Sequence, residues 1–126
     1  MRKEKCDMPT LIEKPTRFNV IGKEPKFIDE YIGRVTSQTE AVSVAHMYCP
    51  AGWTEPGQTP GFDVYNYVLK GLLQVKHKDG VLDVHAGQAM IAKRGEWIQY
   101  SAPSPEGAEY VAVCVPAFSP TTVHRD

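Results

Sequence analysis

His46 is the side chain best suited to proton transfer in this sequence, because an imidazole's reference pKa lies near neutrality. It stands in the apolar run 41–49, where the bulkier residues Val42, Val44, His46 and Tyr48 alternate with the small residues Ala41, Ser43 and Ala45. Residues two apart share one face of a strand. The bulkier set is therefore expected to face the interior, carrying His46 and Tyr48 with it. Downstream, Glu55, Gln58 and Asp63 lie in or beside a stretch broken by Pro50, Pro56 and Pro60, which reads as a loop because proline cannot donate to a ladder. With a carboxylate beside it, His46 would act as general acid or base and Glu55 or Tyr48 as its opposite partner. The same residues also have a structural reading, in which a buried histidine bonds a neighbour and the loop carboxylates accept turn N–H groups.

The elements that must hold these residues are short. From Phe27 onward the apolar residues come in runs of strand length separated by turn residues, with no ten-residue stretch of helical period. Strands are expected over 26–35, 41–49, 64–69, 72–77, 81–84, 89–92, 96–100 and 109–115, a spacing that fits a sandwich or barrel. The strongest local signal is Lys78-Asp79-Gly80 between 72–77 and 81–84, since Asp-Gly suits a tight hairpin turn. His77 and His85 bracket that hairpin and are expected at the surface, while His124 lies in the last residues of the sequence. Residues 1–25, with Pro9, Pro15 and Gly22 spread through them, read as an N-terminal arm, and 26–126 as one domain.

Composition narrows the function classes. The chain has 126 residues, 42% hydrophobic and 23% charged, which is ordinary for one globular domain. Lys and Arg number 14 against 15 Asp and Glu, so there is no basic footprint for nucleic acid. No apolar run approaches a bilayer span, and the basic start lacks an apolar continuation; a cytoplasmic location without membrane contact is the expectation. Cys6, Cys49 and Cys114 show no CxxC spacing, which argues against a disulfide framework or a thiolate metal knuckle. Cys49 and Cys114 are expected to be buried as small hydrophobes.

The stretch from Pro50 to Gly71, ending Tyr67-Val68-Leu69-Lys70-Gly71, resembles the first motif of the cupin superfamily, and Gly87 to Ile98, with its two glycines, echoes the second. A narrower likeness, to small single-domain bacterial cupins of unassigned function, runs through Ala45-His46-Met47, Glu55-Pro56, Gly95-Glu96-Trp97 and Cys114-Val115-Pro116. Those proteins mostly carry an acidic residue where this chain has Val64. The resemblance implies an all-β, cupin-type double-stranded β-helix (jelly-roll) barrel. It also sets strand register: Val64, Asn66 and Val68 should point inward with Ile98 and Tyr100, leaving Tyr65 and Tyr67 outside. Glu55, Gln58 and Asp63 would then sit at the barrel mouth. The positions of the family's metal ligands fall on Gln58, Pro60, Val64 and Ile98, three of which have no lone pair to offer a cation.

Three functions follow as expectations. In the first, His46, Tyr48, Gln58, Asp63, Asn66 and Tyr100 gather a small polar ligand without metal or other cofactor. An isomerisation, lyase or cyclisation step through His46 and Glu55 would be the chemistry. In the second, His46, Gln58 and either Glu55 or Asp63 form an atypical metal site. The third is a homodimeric scaffold whose exposed Tyr65, Tyr67 and Leu69 supply an interface.

Overall fold

The computed structural model describes residues 8–20 and 25–126. Cys6 lies outside the described residues, as do 1–7 and 21–24 of the expected arm. Those described form an all-strand architecture: β1 Thr16–Val20, β2 Lys26–Ile32, β3 Ser43–Cys49, β4 Trp53–Thr54, β5 Asp63–His77, β6 Gly80–His85, β7 Ala89–Ala92, β8 Ile98–Ala102 and β9 Ala108–Val115. No described helix is long and apolar enough to cross a membrane.

The ladder runs β1-β2-β3-β9-β5-β8-β4, with β6 and β7 also pairing to β5. Every named pairing is antiparallel. β5 is the seam: its first half joins β9 and β7, and its second half joins β8 and β6. The sequence suggested two strands here, at 64–69 and 72–77. They are one, because Gly71 adopts φ +77° and lets the chain turn from one sheet to the other. A register shift against β9 between Val68 and Lys70 adds to that bend. The Asp79-Gly80 hairpin forms as expected, with His77 opposite Gly80; His85 is exposed and His77 partly so.

Alternation places one face of each strand inside. On β5, Val64, Asn66 and Val68 are buried while Tyr65, Tyr67 and Leu69 are exposed, and on β8 Ile98 and Tyr100 point inward. Leu73, Val68, Val75 and Tyr110 have almost no exposed surface; each such aliphatic side chain contributes about 1.5–3 kcal/mol by leaving water. Cys49 and Cys114 belong to the same core.

β3 corrects the expected register. Ser43, Ala45 and Cys49 are its buried residues, with Met47 packed against the core, and His46 and Tyr48 project from the opposite face. Size was a poor guide because β9 and β8 send the bulky Tyr110 and Tyr100 into the same interior, and β3 meets them with Ser43, Ala45 and the adaptable Met47. A second departure is at the N-terminal side. Residues 16–20, expected in an arm, form β1 and pair with β2 from Thr16 opposite Glu30 to Val20 opposite Lys26.

Candidate functional site

A cavity of about 330 Å³ opens inside the barrel, within the usual range for a small-molecule site. Most of its wall is apolar, from Ile28 on β2, Met47 on β3, Phe62 just before β5, Val64 on β5, Cys114 on β9, and Phe118 beyond β9. The inward face of β2 sets a row of charge into this wall, because Lys26, Ile28 and Glu30 alternate toward the cavity while Phe27, Asp29 and Tyr31 face away.

At the β2 start lies an ionic cluster. Glu55 Oε2 accepts a hydrogen bond from Gln58 Nε2 at 2.7 Å. Its other oxygen stands 3.8 Å from Lys26 Nζ and 3.4 Å from Arg125 Nη1. The Lys26 ammonium also lies over the Trp53 ring, 4.3 Å from its centroid, a cation–π contact. Glu55 is held from behind as well: Gln99 Nε2 donates to its carbonyl at 3.0 Å. Arg125 reaches the cavity because the C-terminal segment folds back across the barrel. Thr59 N–H donates to the His124 carbonyl at 3.0 Å, Gly61 N–H to Thr122 at 2.7 Å and Asp126 N–H to Gly57 at 2.8 Å.

Asn66 and Tyr100 form a second polar spot. Asn66 Nδ2 donates to the Tyr100 hydroxyl at 3.0 Å and lies 3.5 Å from the Met90 sulfur. Its Oδ1 is buried without a hydrogen-bond partner among the described residues. Burial drives the Tyr100 pKa far above the ordinary tyrosine value, against a smaller lowering by the Asn66 hydrogen bond, so Tyr100 acts as a neutral hydroxyl. Elsewhere on the wall, Glu30 accepts the N–H groups of Val35 and Thr36 at 3.2 and 2.7 Å.

Of the residues named from sequence, Glu55, Gln58, Asn66 and Tyr100 line this cavity together. His46 and Tyr48 do not. Their rings stack on the outer sheet face with centroids 4.1 Å apart, His46 Nε2 lies 3.2 Å from Glu109 Oε1, and the neighbouring Asp29 is paired with Arg17 at 2.8 and 2.9 Å. Asp63 also sits off the cavity, accepting the Arg94 N–H at 2.9 Å. The expected pairing of His46 with Glu55 is therefore corrected, since the two occupy opposite sides of the sheet. The atypical metal site fails for the same reason, with His46 outside the wall that carries Gln58. Pro60, Val64 and Ile98, at the remaining family ligand positions, are buried and have no donor atom. A metal does not fit this donor set, and among the described residues no group of three or more His, Cys, Asp or Glu could hold one.

Sequence reasoning passed over Lys26 and Arg125. Lys26 heads a strand, where a lysine ordinarily reads as solvated, though its parity with Ile28 was a usable signal. Arg125 had none, because only the folded-back segment brings it to Glu55.

Comparison with solved structures bears on the architecture. The barrel superposes on oxalate decarboxylase from Bacillus subtilis with a TM-score of 0.74 at 19% identity, covering 94% of this chain and 33% of that one. It matches EutQ from Clostridium difficile with a TM-score of 0.63 at 20% identity, over 75% of this chain and 65% of that one. The chain has the cupin fold. A putative ethanolamine utilization protein Q from Salmonella typhimurium gives a further cupin match, with a TM-score of 0.60 at 18% identity, 83% of this chain and 98% of that one. Among curated proteins, a Myxococcus xanthus protein named endoribonuclease YbeY is 36% identical over 101 residues, 80% of this chain. This cupin chain spans only 34% of that relative. No family model matches the sequence.

Proposed function

We propose that this chain is a small-molecule-binding cupin that works without a metal, and that its ligand occupies the barrel cavity. The observation that carries the reading is Asn66 Oδ1: a buried amide oxygen on the cavity wall with no partner among the described residues. Leaving such an atom unsatisfied costs about 1–3 kcal/mol, which a ligand O–H or N–H would recover. The apolar wall takes the body of the molecule, and Gln58, Asn66 and Tyr100 orient its polar groups. If the bound molecule reacts, Glu55 is the carboxylate placed to move a proton, as an isomerisation, lyase or cyclisation requires. The formal net charge of −1 and the apolar lining favour a small organic ligand over a polyanionic nucleic acid.

A thermal-shift screen of small hydroxylated organic compounds tests this. A binder at about a hundred times its Kd is expected to add about 2.7 kcal/mol of stability. Asn66→Leu should abolish that gain while changing the free protein's stability little, because removing the orphaned acceptor offsets the lost hydrogen bond to Tyr100. A ligand shift that survives Asn66→Leu would remove the observation on which the reading rests. The purified, tag-free protein is expected to carry no stoichiometric metal by plasma mass spectrometry; near-stoichiometric metal would overturn the metal-free part.

A further inference from the structure

Among the described residues, the charges that line the cavity do not cancel, and they point to a ligand class. Two cations, Lys26 and Arg125, stand beside one carboxylate, Glu55. The other charged residues on the wall, Glu30 and Arg34, carry opposite formal charges. Lys26 is the more confined cation, its side chain 5% exposed. Its ammonium carries three donors, yet among the described residues it makes no hydrogen bond; its near neighbours are Glu55 Oε1 at 3.8 Å and the ring faces of Trp53 and Tyr110. Both cation–carboxylate distances exceed the roughly 2.7–2.9 Å of a close charge-assisted hydrogen bond, so donors on each cation remain for a second acceptor. A buried charge without full compensation is costly.

Resting on the cavity reading above, we infer that the ligand is an organic monocarboxylate: an apolar body against Met47, Phe62 and Phe118, and one carboxylate held by Lys26 and Arg125. One negative charge completes a neutral group of two cations and two carboxylates. A dianion overshoots, a neutral amide leaves the excess positive charge, and an ammonium adds to it.

The test is calorimetric titration with straight-chain and phenyl-substituted monocarboxylates, each matched to its primary amide, primary amine and dicarboxylate. Monocarboxylates are expected to bind roughly tenfold or more tightly than their amides. Lys26→Met and Arg125→Gln should each weaken the acids by roughly tenfold or more and weaken the amides by less, whereas Glu55→Gln should strengthen the acids. Arg125 is 40% exposed, so its replacement tests the idea even if Lys26→Met compromises folding. Amides that bind as tightly as acids would overturn the charge argument while leaving the cavity reading intact. If no member of the series binds, the carboxylate assignment falls, and the cavity reading is judged separately by the hydroxylated compounds of the thermal-shift screen.

Discussion

Asp29 and the buried thiols carry the clearest chemistry at the scale of single residues. Hydrogen bonds from Arg17 hold the Asp29 carboxyl below its ordinary range, against a smaller desolvation effect. A carboxyl depressed in the folded state stabilises the protein above its unfolded pKa, and that contribution is lost as pH falls through the folded value. Urea midpoints should therefore drop more for the wild type than for Asp29→Asn between neutral pH and about pH 3; equal drops would show that the Arg17 pair adds nothing. Burial pushes the thiols of Cys49 and Cys114 up to about 11. Because the thiolate is the reactive form, alkylation of both at neutral pH should be slow and accelerate with pH up to that value, as followed by peptide mass spectrometry.

At the scale of elements, the bend of β5 is the most constrained feature. Gly71 sits at φ +77°, and a Cβ there would overlap the Gly107 carbonyl oxygen. At Gly107, itself at φ +69°, a Cβ would overlap the Cys49 carbonyl oxygen. The bend of β5, the start of β9 and the end of β3 thus meet backbone to backbone, where no side chain has room. Gly71→Ala is expected to destabilise by more than about 2 kcal/mol, combining left-handed strain with the clash, measured as a lower urea midpoint; a near-neutral result would mean the bend of β5 can shift. The two-glycine frame, the Asp79-Gly80 hairpin and the inward parity of β5 and β8 were readable because each is a local matter of turn geometry or of alternation anchored to a motif. The parity of β3 was not. Alternation divides Ser43–Cys49 into two sets without saying which faces in, and that choice came from pairing with β9, where Met47 stands opposite Tyr110 and Ala45 opposite Ala112.

At the scale of the whole molecule, the C-terminal segment closes the barrel. It places Val123 in the core, Arg125 against Glu55, and Asp126 within 2.9 Å of Trp97 Nε1. Ending the chain at Pro120 removes the burial of Val123 and three backbone hydrogen bonds to Gly57, Thr59 and Gly61, a loss of about 3–5 kcal/mol. Differential scanning calorimetry should show a clearly lower Tm. The shortened chain should also lose its preference for acids over amides, since one of the two cations is gone.

By itself the sequence determined the strand-and-turn pattern, the cupin frame and the apolar replacements at Pro60, Val64 and Ile98, because these depend on residue type and short-range spacing. Only the tertiary structure decided where the polar side chains converge. His46 and Tyr48 moved to the outer face through the register of β3. Lys26 and Arg125, from opposite ends of the barrel domain, joined Glu55 through strand pairing and a folded-back segment. Contacts of that kind arise when distant parts of the chain are brought side by side, and no local pattern in the sequence encodes them.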